Sequence, residues 1–332
     1  MRDCKSILEL FVFLVAFILS ATVAPSTVFA QAYPSRPITI VVPFPAGGSI
    51  DTVARVIGER MKSSLGQAVV VENTTGAGGS IGARRVARAV PDGYTLGIGN
   101  LSTHVINGAT YVLDYDVVRD FVPVSLLTTE PMILAARKTV PAVDLKELVV
   151  WLKANPDKAT AAVGGTGDIT QITDLLFQNE TATRFRLVPY KGTVLALNDV
   201  IAGRIDLISM QSSSLLPQIN AGSIKAYAVM GGKRLAAAPD IPTADEAGLV
   251  GLHVPYWFGL WLPKGVPGEI VAKLKAAVVD ALADENVKAR LNGGGREVVT
   301  RDQQTSEALA ALQQAEIARW WPVIRDAGIK AE

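Results

Sequence analysis

The stretch Pro43-Phe44-Pro45-Ala46-Gly47-Gly48-Ser49-Ile50-Asp51 decides the fold, because it joins an apolar strand to an amphipathic helix through a glycine-rich turn. The residues before it, Ile38–Val42, are apolar and β-branched apart from Thr39, and residues 52–61 carry apolar side chains at helical spacing. Such a turn frees backbone N–H groups at a helix N-terminus, where a small anion is their natural partner. The stretch therefore predicts a strand–turn–helix unit with an anion-binding turn.

Three further stretches repeat this pattern. Asn73-Thr74-Thr75-Gly76-Ala77-Gly78-Gly79-Ser80 follows the strand 68–72 and precedes a helix over 81–90. Gly164-Gly165-Thr166-Gly167-Asp168 precedes a helix over 170–178, and Lys191-Gly192-Thr193 precedes one over 194–202. Ligands of α/β sheets bind at the carboxyl edges of strands, so we expect these helix starts to converge on one ligand. The alternative is that the glycines only serve tight strand–helix connections.

Strands and helices alternate along the chain, which predicts an α/β fold with two mostly parallel sheets. Strands are predicted over 94–99 (the third), 122–127, 132–136 and 160–163, and a helix over 145–154 with Asp144 as its N-cap. We expect the chain to cross between two lobes near 128–132 and again near 254–258. Lobe one would comprise 31–130 together with 258–332, and lobe two 131–257. A double crossing of this kind forms a hinge that can close an interlobe cleft on a ligand.

Residues 1–30 have the pattern of a secretory signal peptide. Arg2 and Lys5 precede the apolar run 10–19, and Val28-Phe29-Ala30 offers small residues for cleavage before Gln31. An uncleaved membrane anchor is the alternative, although the run is shorter than the roughly 20 residues that a spanning helix needs. Cleavage would remove the single cysteine, Cys4, and would export a protein without disulfides.

Composition and motifs argue against several other functions. The net charge is +1 and the mature chain has no cluster of Lys or Arg, so nucleic-acid binding has no electrostatic support. The chain has two histidines, no G-x-S-x-G nucleophile motif, no zinc motif and no Walker A motif. The loose glycine pattern 76–82 lacks the acidic residue that a nicotinamide-dependent oxidoreductase needs after the next strand. We therefore expect a protein that is not an enzyme and holds no cofactor or metal.

Taken together, the turns resemble those of the substrate-binding proteins of tripartite tricarboxylate transporters, also called the Bug receptors. The resemblance covers essentially the whole mature chain, and its further motifs follow the family's order. They are Glu72-Asn73 with Gly76-Ala77-Gly78-Gly79, Pro91-Asp92-Gly93-Tyr94, Asp120-Phe121, Val188-Pro189-Tyr190-Lys191-Gly192, Ala221-Gly222, Ile241-Pro242-Thr243, Glu246-Ala247-Gly248, Trp257-Phe258-Gly259 and Ala327-Gly328-Ile329.

The resemblance implies a periplasmic receptor of the two-lobed binding-protein type II fold. Such a receptor captures small carboxylates in the interlobe cleft and passes them to membrane permease subunits. We expect a monomer. A receptor that reports its ligand to a membrane signalling protein would use the same binding mechanism and stays open as an alternative.

Three positions depart from the family's pattern. Ile169-Thr170-Gln171 stands where the family commonly has Ser-Ser-His, Met210-Gln211 where it often has Asp-Asn, and Gly108 after Asn107 where it often has Pro. The first two positions would face the cleft from lobe two. The turn of lobe one thus keeps the family's pattern, while the positions expected to set ligand specificity in lobe two differ from it. The resemblance therefore implies no particular ligand for this chain.

The candidate site consists of the glycine turns, the polar residues after the third strand, and the changed positions of lobe two. Asp51 is expected to order its loop rather than contact ligand, and His104 could equally be an ordinary loop histidine. The candidate ligand-binding residues are Ala46, Gly47, Gly48, Ser49, Gly76, Gly78, Gly79, His104, Asn107, Gly165, Thr166, Gly167, Asp168, Gln171, Tyr190, Lys191, Gly192, Thr193, Met210, Gln211 and Ser212.

Overall fold

The computed structural model describes residues 33–165, 167–292, 295–326 and 328–330. The predicted signal peptide, residues 1–30, and the candidate ligand residue Thr166 lie outside the described residues. The chain divides into two units, residues 1–35 and 36–332. In the first unit the described residues 33–35 form neither helix nor strand, and every element given below belongs to the second.

Strands and helices alternate as the sequence predicts. The strands are β1 (Ile38–Val42), β2 (Val69–Asn73), β3 (Thr95–Asn100), β4 (Phe121–Arg137), β5 (Thr160–Val163), β6 (Arg186–Pro189), β7 (Leu207–Gln211), β8 (Ile224–Met230), β9 (Pro255–Pro263) and β10 (Glu297–Val298). The α-helices are α1 (Ser49–Leu65), α2 (Ser80–Ala87), α3 (Asn107–Thr110), α4 (Leu145–Ala154), α5 (Ile169–Thr181), α6 (Thr193–Ile201), α7 (Ser212–Asn220), α8 (Gly268–Ala283), α9 (Glu285–Leu291) and α10 (Ser306–Asp326).

The strands form a mixed sheet in the order β2-β1-β3-β9-β4-β7-β5-β6, with β8 and β10 also paired to β4. The parallel pairs lie in its two outer parts, where β1 pairs with β2 and β3, and β5 pairs with β6 and β7. The central strands β4 and β9 run antiparallel to their neighbours. The predicted parallel sheets are therefore joined by antiparallel pairs, because β4 and β9 carry the chain directly from one part to the other.

Strand β4 is the longer of these connections. Its residues up to Pro131 pair with β9, and its residues from Met132 onward pair with β7 and β8. The sequence predicts two strands here, separated at 128–131, because a proline cannot donate to a ladder. The strand is continuous because Pro131, opposite Pro255, stands where the pairing partner changes.

Local capping signals set several helix starts. Asp144 precedes α4 and its side chain accepts a hydrogen bond from the Glu147 N–H at 2.8 Å, which confirms the predicted N-cap. Asp168 caps α5 in the same way. Helix α9, which the sequence analysis did not predict, begins after the cap Asp284.

Candidate functional site

A cavity of about 280 Å³ lies where helix starts from both parts of the sheet meet. The turn before α1 forms one wall, and the starts of α5 and α6 form the other. The end of β7 contributes Gln211, and β9 contributes Tyr256. This arrangement agrees with the general rule that ligands of α/β sheets bind beyond the carboxyl ends of strands.

The turn before α1 is held in place by Asp51. The carboxylate accepts hydrogen bonds from the Gly47 N–H at 2.9 Å, from the Asn73 side chain at 3.0 Å and from Arg55. Burial alone would raise the pKa of Asp51, but the hydrogen bonds from Arg55, Gly47 and Asn73 outweigh it and lower the pKa. Asp51 therefore orders the loop, and its charge is balanced by Arg55 rather than directed at the cavity.

This turn presents backbone donors to the cavity. The first helical hydrogen bond of α1 runs from the Thr52 N–H to the Gly48 carbonyl at 3.0 Å. The N–H groups of Gly48, Ser49 and Ile50 precede it, so the helix itself leaves them without partners. All three residues line the cavity, and a helix N-terminus attracts negative charge. The wall is suited to a carboxylate.

The Ser49 side chain, in contrast, belongs to a buried ionic network. Its hydroxyl donates to Glu130 Oε1 at 2.9 Å and receives a hydrogen bond from Arg296. Glu130 and Arg296 are 3.4 Å apart and almost fully buried, and the Ser213 N–H donates to Glu130 at 2.9 Å. The network joins the turn before α1 to β4 and to the start of α7. Its two charged members lack a local sequence motif, and the sequence analysis missed them.

The opposite wall combines a cation with a carboxylate. Lys191 is exposed at the cavity and forms no ion pair within the described part of the chain. Asp168 is 5% exposed and accepts hydrogen bonds from the N–H groups of Thr170 and Gln171. Burial raises the pKa of Asp168 to about 6, against the opposing effect of these bonds. The carboxylate thus lies in the cavity as a poorly solvated acid.

Further buried polar side chains lie on the strand β7 and the helix α5, next to this wall. Among the described residues, Gln211 Oε1 is buried and has no hydrogen-bond partner, and the buried carboxyl of Asp174 has only the Ser209 hydroxyl as a polar neighbour that favours its charged form. Burial raises the pKa of Asp174 to about 8, so this carboxyl is protonated at neutral pH. Of these groups, only Gln211 lines the cavity.

The structure brings part of the predicted site to the cavity. The predicted residues that line it are Ala46, Gly48, Ser49, Asp168, Lys191, Gly192, Thr193 and Gln211. Gly47 and Met210 line a neighbouring cavity of about 400 Å³, which shares Ser49 and Thr193 with the first. The predicted residues that line neither cavity are Gly76, Gly78, Gly79, His104, Asn107, Gly165, Gly167, Gln171, Tyr190 and Ser212.

The second glycine turn does not line the cavity: Gly76 and Ala77 are exposed, and only Gly79 and Ser80 at its end are buried. Asn107 donates to the Gly78 carbonyl at 3.0 Å, so both predicted ligand residues are engaged with each other. A Cβ on Gly79 would lie 2.7 Å from the Thr103 side chain and 3.1 Å from the Phe44 ring. The turn thus supports Phe44 from behind, and Phe44 itself lines the cavity.

His104 is a core residue in this structure. Its ring stacks on Trp261 with centroids 3.7 Å apart, and it is 2% exposed. Burial lowers the pKa of His104 to about 3, so the ring is neutral. His104 lies in the helical turn Ser102–Ile106, so it is neither at the cavity nor in a loop, and aromatic neighbours enclose its ring.

Three other predicted residues form hydrogen bonds with other protein groups. Gln171 receives a hydrogen bond from the Gly167 N–H, the Tyr190 hydroxyl donates to Asp199 at 2.7 Å, and Ser212 donates to Glu130. The lining residues that the sequence analysis missed are Phe44, Pro45, Ile50, Ser102, Gly164, Ile169, Thr170, Val194, Leu195 and Tyr256. Most of these flank the predicted turns, so extending each turn by one or two residues would have found them; Ser102 and Tyr256 come from distant positions.

Neither a metal centre nor a membrane span is indicated within the described ranges. No group of three or more His, Cys, Asp or Glu residues there could hold a metal ion. No helix there is long and apolar enough to cross a membrane.

Comparisons with known proteins agree with this architecture. The sequence model of the tripartite tricarboxylate transporter family receptor matches residues 53–329. Protein BugT of Bordetella pertussis is 33% identical over 95% of this chain and 96% of its own. Two solved proteins of Rhodopseudomonas palustris are similar: MatC with bound malate (41% identity, TM-score 0.84, 88% of this chain and 100% of that one) and Rpa4515 with adipate (33%, 0.85, 90% and 99%). These matches confirm the predicted α/β two-lobed binding-protein fold.

Proposed function

The chain belongs to the tripartite tricarboxylate transporter receptor family, and on that premise we propose that it is a periplasmic receptor that binds a small carboxylate in the 280 Å³ cavity. The observation that carries the proposal is that Gly48, Ser49 and Ile50, whose N–H groups the helix α1 leaves without partners, line this cavity. A receptor of this kind performs no chemistry on its ligand.

Relatives with bound carboxylates support this ligand class. MatC was solved with malate and Rpa4515 with adipate, both of them dicarboxylates of a size that a cavity of this volume can hold. Hydrogen bonds to a charged group contribute about 1.5–3 kcal/mol each, so three or four of them supply the roughly 8 kcal/mol of micromolar binding. Lys191 at the rim adds a cation that attracts an anionic ligand.

The division into lobes is part of the same proposal. Lobe one would comprise residues up to 130 together with 258–332, and lobe two residues 131–257. The change of β4 partners between Pro131 and Met132 supports the first boundary. A ligand that touches both walls favours the closed arrangement by the difference in its affinity for the two states. We propose that the closed receptor delivers its ligand to a membrane permease.

Substitution of Gly48 tests the donor wall, meaning the start of α1 with the N–H groups of Gly48, Ser49 and Ile50. Gly48 has φ −79° and ψ 171°, which both proline and alanine adopt. Gly48→Pro removes one N–H group, whereas Gly48→Ala retains it and places a Cβ 3.6 Å from the Pro45 carbonyl, an ordinary contact. We expect Gly48→Pro to weaken malate or adipate binding roughly 10- to 100-fold and Gly48→Ala to have little effect.

Isothermal titration calorimetry on the purified protein measures these affinities, with thermal unfolding as the check on folding. Equal affinity in the two Gly48 variants would contradict the donor wall. A folded protein that binds none of a panel of mono-, di- and tricarboxylates, and releases no bound carboxylate on denaturation, would contradict the receptor function.

A further inference from the structure

Two residues that line the cavity, Asp168 and Gln211, each have one side-chain oxygen that accepts no hydrogen bond from the described residues. Asp168 Oδ1 accepts hydrogen bonds from the Thr170 N–H at 3.0 Å, the Gln171 N–H at 3.1 Å and the Thr170 hydroxyl, whereas Oδ2 receives none from the described residues. Gln211 Oε1 is buried without a partner in the same part of the chain, and its residue is 6% exposed. A buried acceptor without a donor is costly, so a bound molecule is expected to supply one.

Gly164 makes room for the free oxygen. A Cβ at this position would lie 2.7 Å from Asp168 Oδ2 and 2.8 Å from Thr193 Cγ2. Gly164 is not among the residues with positive φ, so its backbone conformation does not require glycine. Glycine at position 164 therefore leaves room for the Asp168 carboxylate, whose second oxygen lies beside the cavity wall.

No cation balances Asp168 among the described residues: Lys191 lines the same cavity but forms no ion pair with it. Asp174 lies further along the same helix, and Tyr256 and Tyr111 approach from other elements; all three act on Asp168 electrostatically and none of them is a cation. A ligand that carried only carboxylates would bring negative charge toward this oxygen. An ammonium group offers three donors and a positive charge, which suits two acceptors of which one is anionic.

We infer that Asp168 and Gln211 form a subsite for an ammonium group, so that the ligand of this receptor is an amino-substituted carboxylate. The inference rests on the proposed function, because the carboxylate end is held by the start of α1. In this arrangement each wall binds one group of the ligand. The backbone donors of the first wall bind its carboxylate, and the side-chain acceptors of the opposite wall bind its ammonium group.

Matched ligands isolate the subsite. Succinate, malate and aspartate share a four-carbon skeleton and differ only in hydrogen, hydroxyl or ammonium at one carbon. Glutarate, 2-hydroxyglutarate and glutamate form the five-carbon series, and propionate, lactate and alanine form the three-carbon monocarboxylate series. Calorimetry near neutral pH is expected to rank the ammonium member first within each series that binds.

Matched variants then assign the effect to these residues. Asp168→Asn keeps the helix cap, because asparagine caps as well as aspartate, and removes the charge. Gln211→Met keeps the length and removes the acceptor. We expect each to weaken the ammonium ligand roughly 10- to 100-fold more than it weakens the unsubstituted acid. Asp144→Asn, the same change at the cap of α4 outside the cavity, is expected to alter neither.

The outcomes separate the two proposals. An unsubstituted acid that binds as tightly as its amino analogue, or an Asp168→Asn variant with the wild-type preference, would overturn the subsite and leave the carboxylate receptor standing. A folded protein that binds no member of any series would count against both. A preference for the ammonium member that Asp168→Asn abolishes and Asp144→Asn retains would establish the subsite.

Discussion

The two glycine turns of the first strand–helix units are alike in sequence and different in position. The turn 43–51 lines the cavity and the turn 76–80 does not: Gly79 packs against Phe44, the Gly78 carbonyl accepts a hydrogen bond from Asn107, and Gly76 is exposed. Both precede a helix, and both contain glycines with positive φ. The comparison shows that the spacing of glycines specifies only the local backbone conformation of a turn. Whether the turn lines a ligand cavity depends on its tertiary contacts.

The anchors of the two turns give the largest expected contrast. The first turn is tied through Ser49 to the buried pair of Glu130 and Arg296, and the second lies beside the exposed pair of Glu72 and Arg85. Arg296→Met leaves a buried carboxylate unbalanced and should lower the free energy of unfolding by about 3–5 kcal/mol. Arg85→Met should cost no more than about 1 kcal/mol.

Denaturant unfolding of both arginine variants measures this contrast, and ligand affinity shows whether the first turn is disturbed. Similar losses of stability in the two variants would mean that the buried pair does not anchor the first turn more firmly than the surface pair anchors the second.

Alanine at one glycine of each turn gives a smaller contrast. Gly79 has φ +88° and no room for a Cβ, so Gly79→Ala should combine strain with a clash and cost about 2–4 kcal/mol. Gly47 has φ +84° and nothing within 4 Å of its Cβ position, so Gly47→Ala should cost about 1–2 kcal/mol. Unfolding curves of the two variants test the order, and an equal loss would contradict the packed position of the second turn.

The pH dependence of stability reports on the wall that the first turn faces. Burial raises the pKa of Asp174 to about 8 and of Asp168 to about 6, both above the ordinary value of 3.8. At these two carboxyls the folded state holds protons that the unfolded state has released, so their contribution to stability falls as pH rises from about 4 to 8, whereas the buried neutral His104 contributes the opposite slope between about pH 3 and 6.5. Each such carboxyl contributes at most about 1.4 kcal/mol per pH unit.

Asp174→Asn removes the larger part of this slope. Its neighbours are the Ser209 hydroxyl on β7 and the carboxylate of Asp168, neither of which supplies a compensating positive charge. The variant should gain stability relative to wild type as pH rises from about 5 to 8. Parallel pH profiles for the two proteins would mean that Asp174 does not titrate within this range.

Much of the fold and part of the site follow from the sequence. The strand Thr160–Val163 and the helix starting at Leu145 with its Asp144 cap agree with prediction, since their signals are local. Strand β4 was predicted as two strands because Pro131 normally interrupts a ladder, and helix α9 was missed. Eight predicted ligand residues line the cavity, and each of them except Gln211 stands in or beside a glycine turn.

The sequence by itself determined the alternation of strands and helices, the backbone conformation of the glycine turns and the capping of α4, because each depends on residues a few positions apart. The tertiary structure alone decided that one turn lines the cavity and the other lies away from it, that His104 lies against Trp261, and that Glu130 meets Arg296. These contacts join residues far apart in the chain, and their partners follow from strand order and register, which local side-chain patterns do not specify.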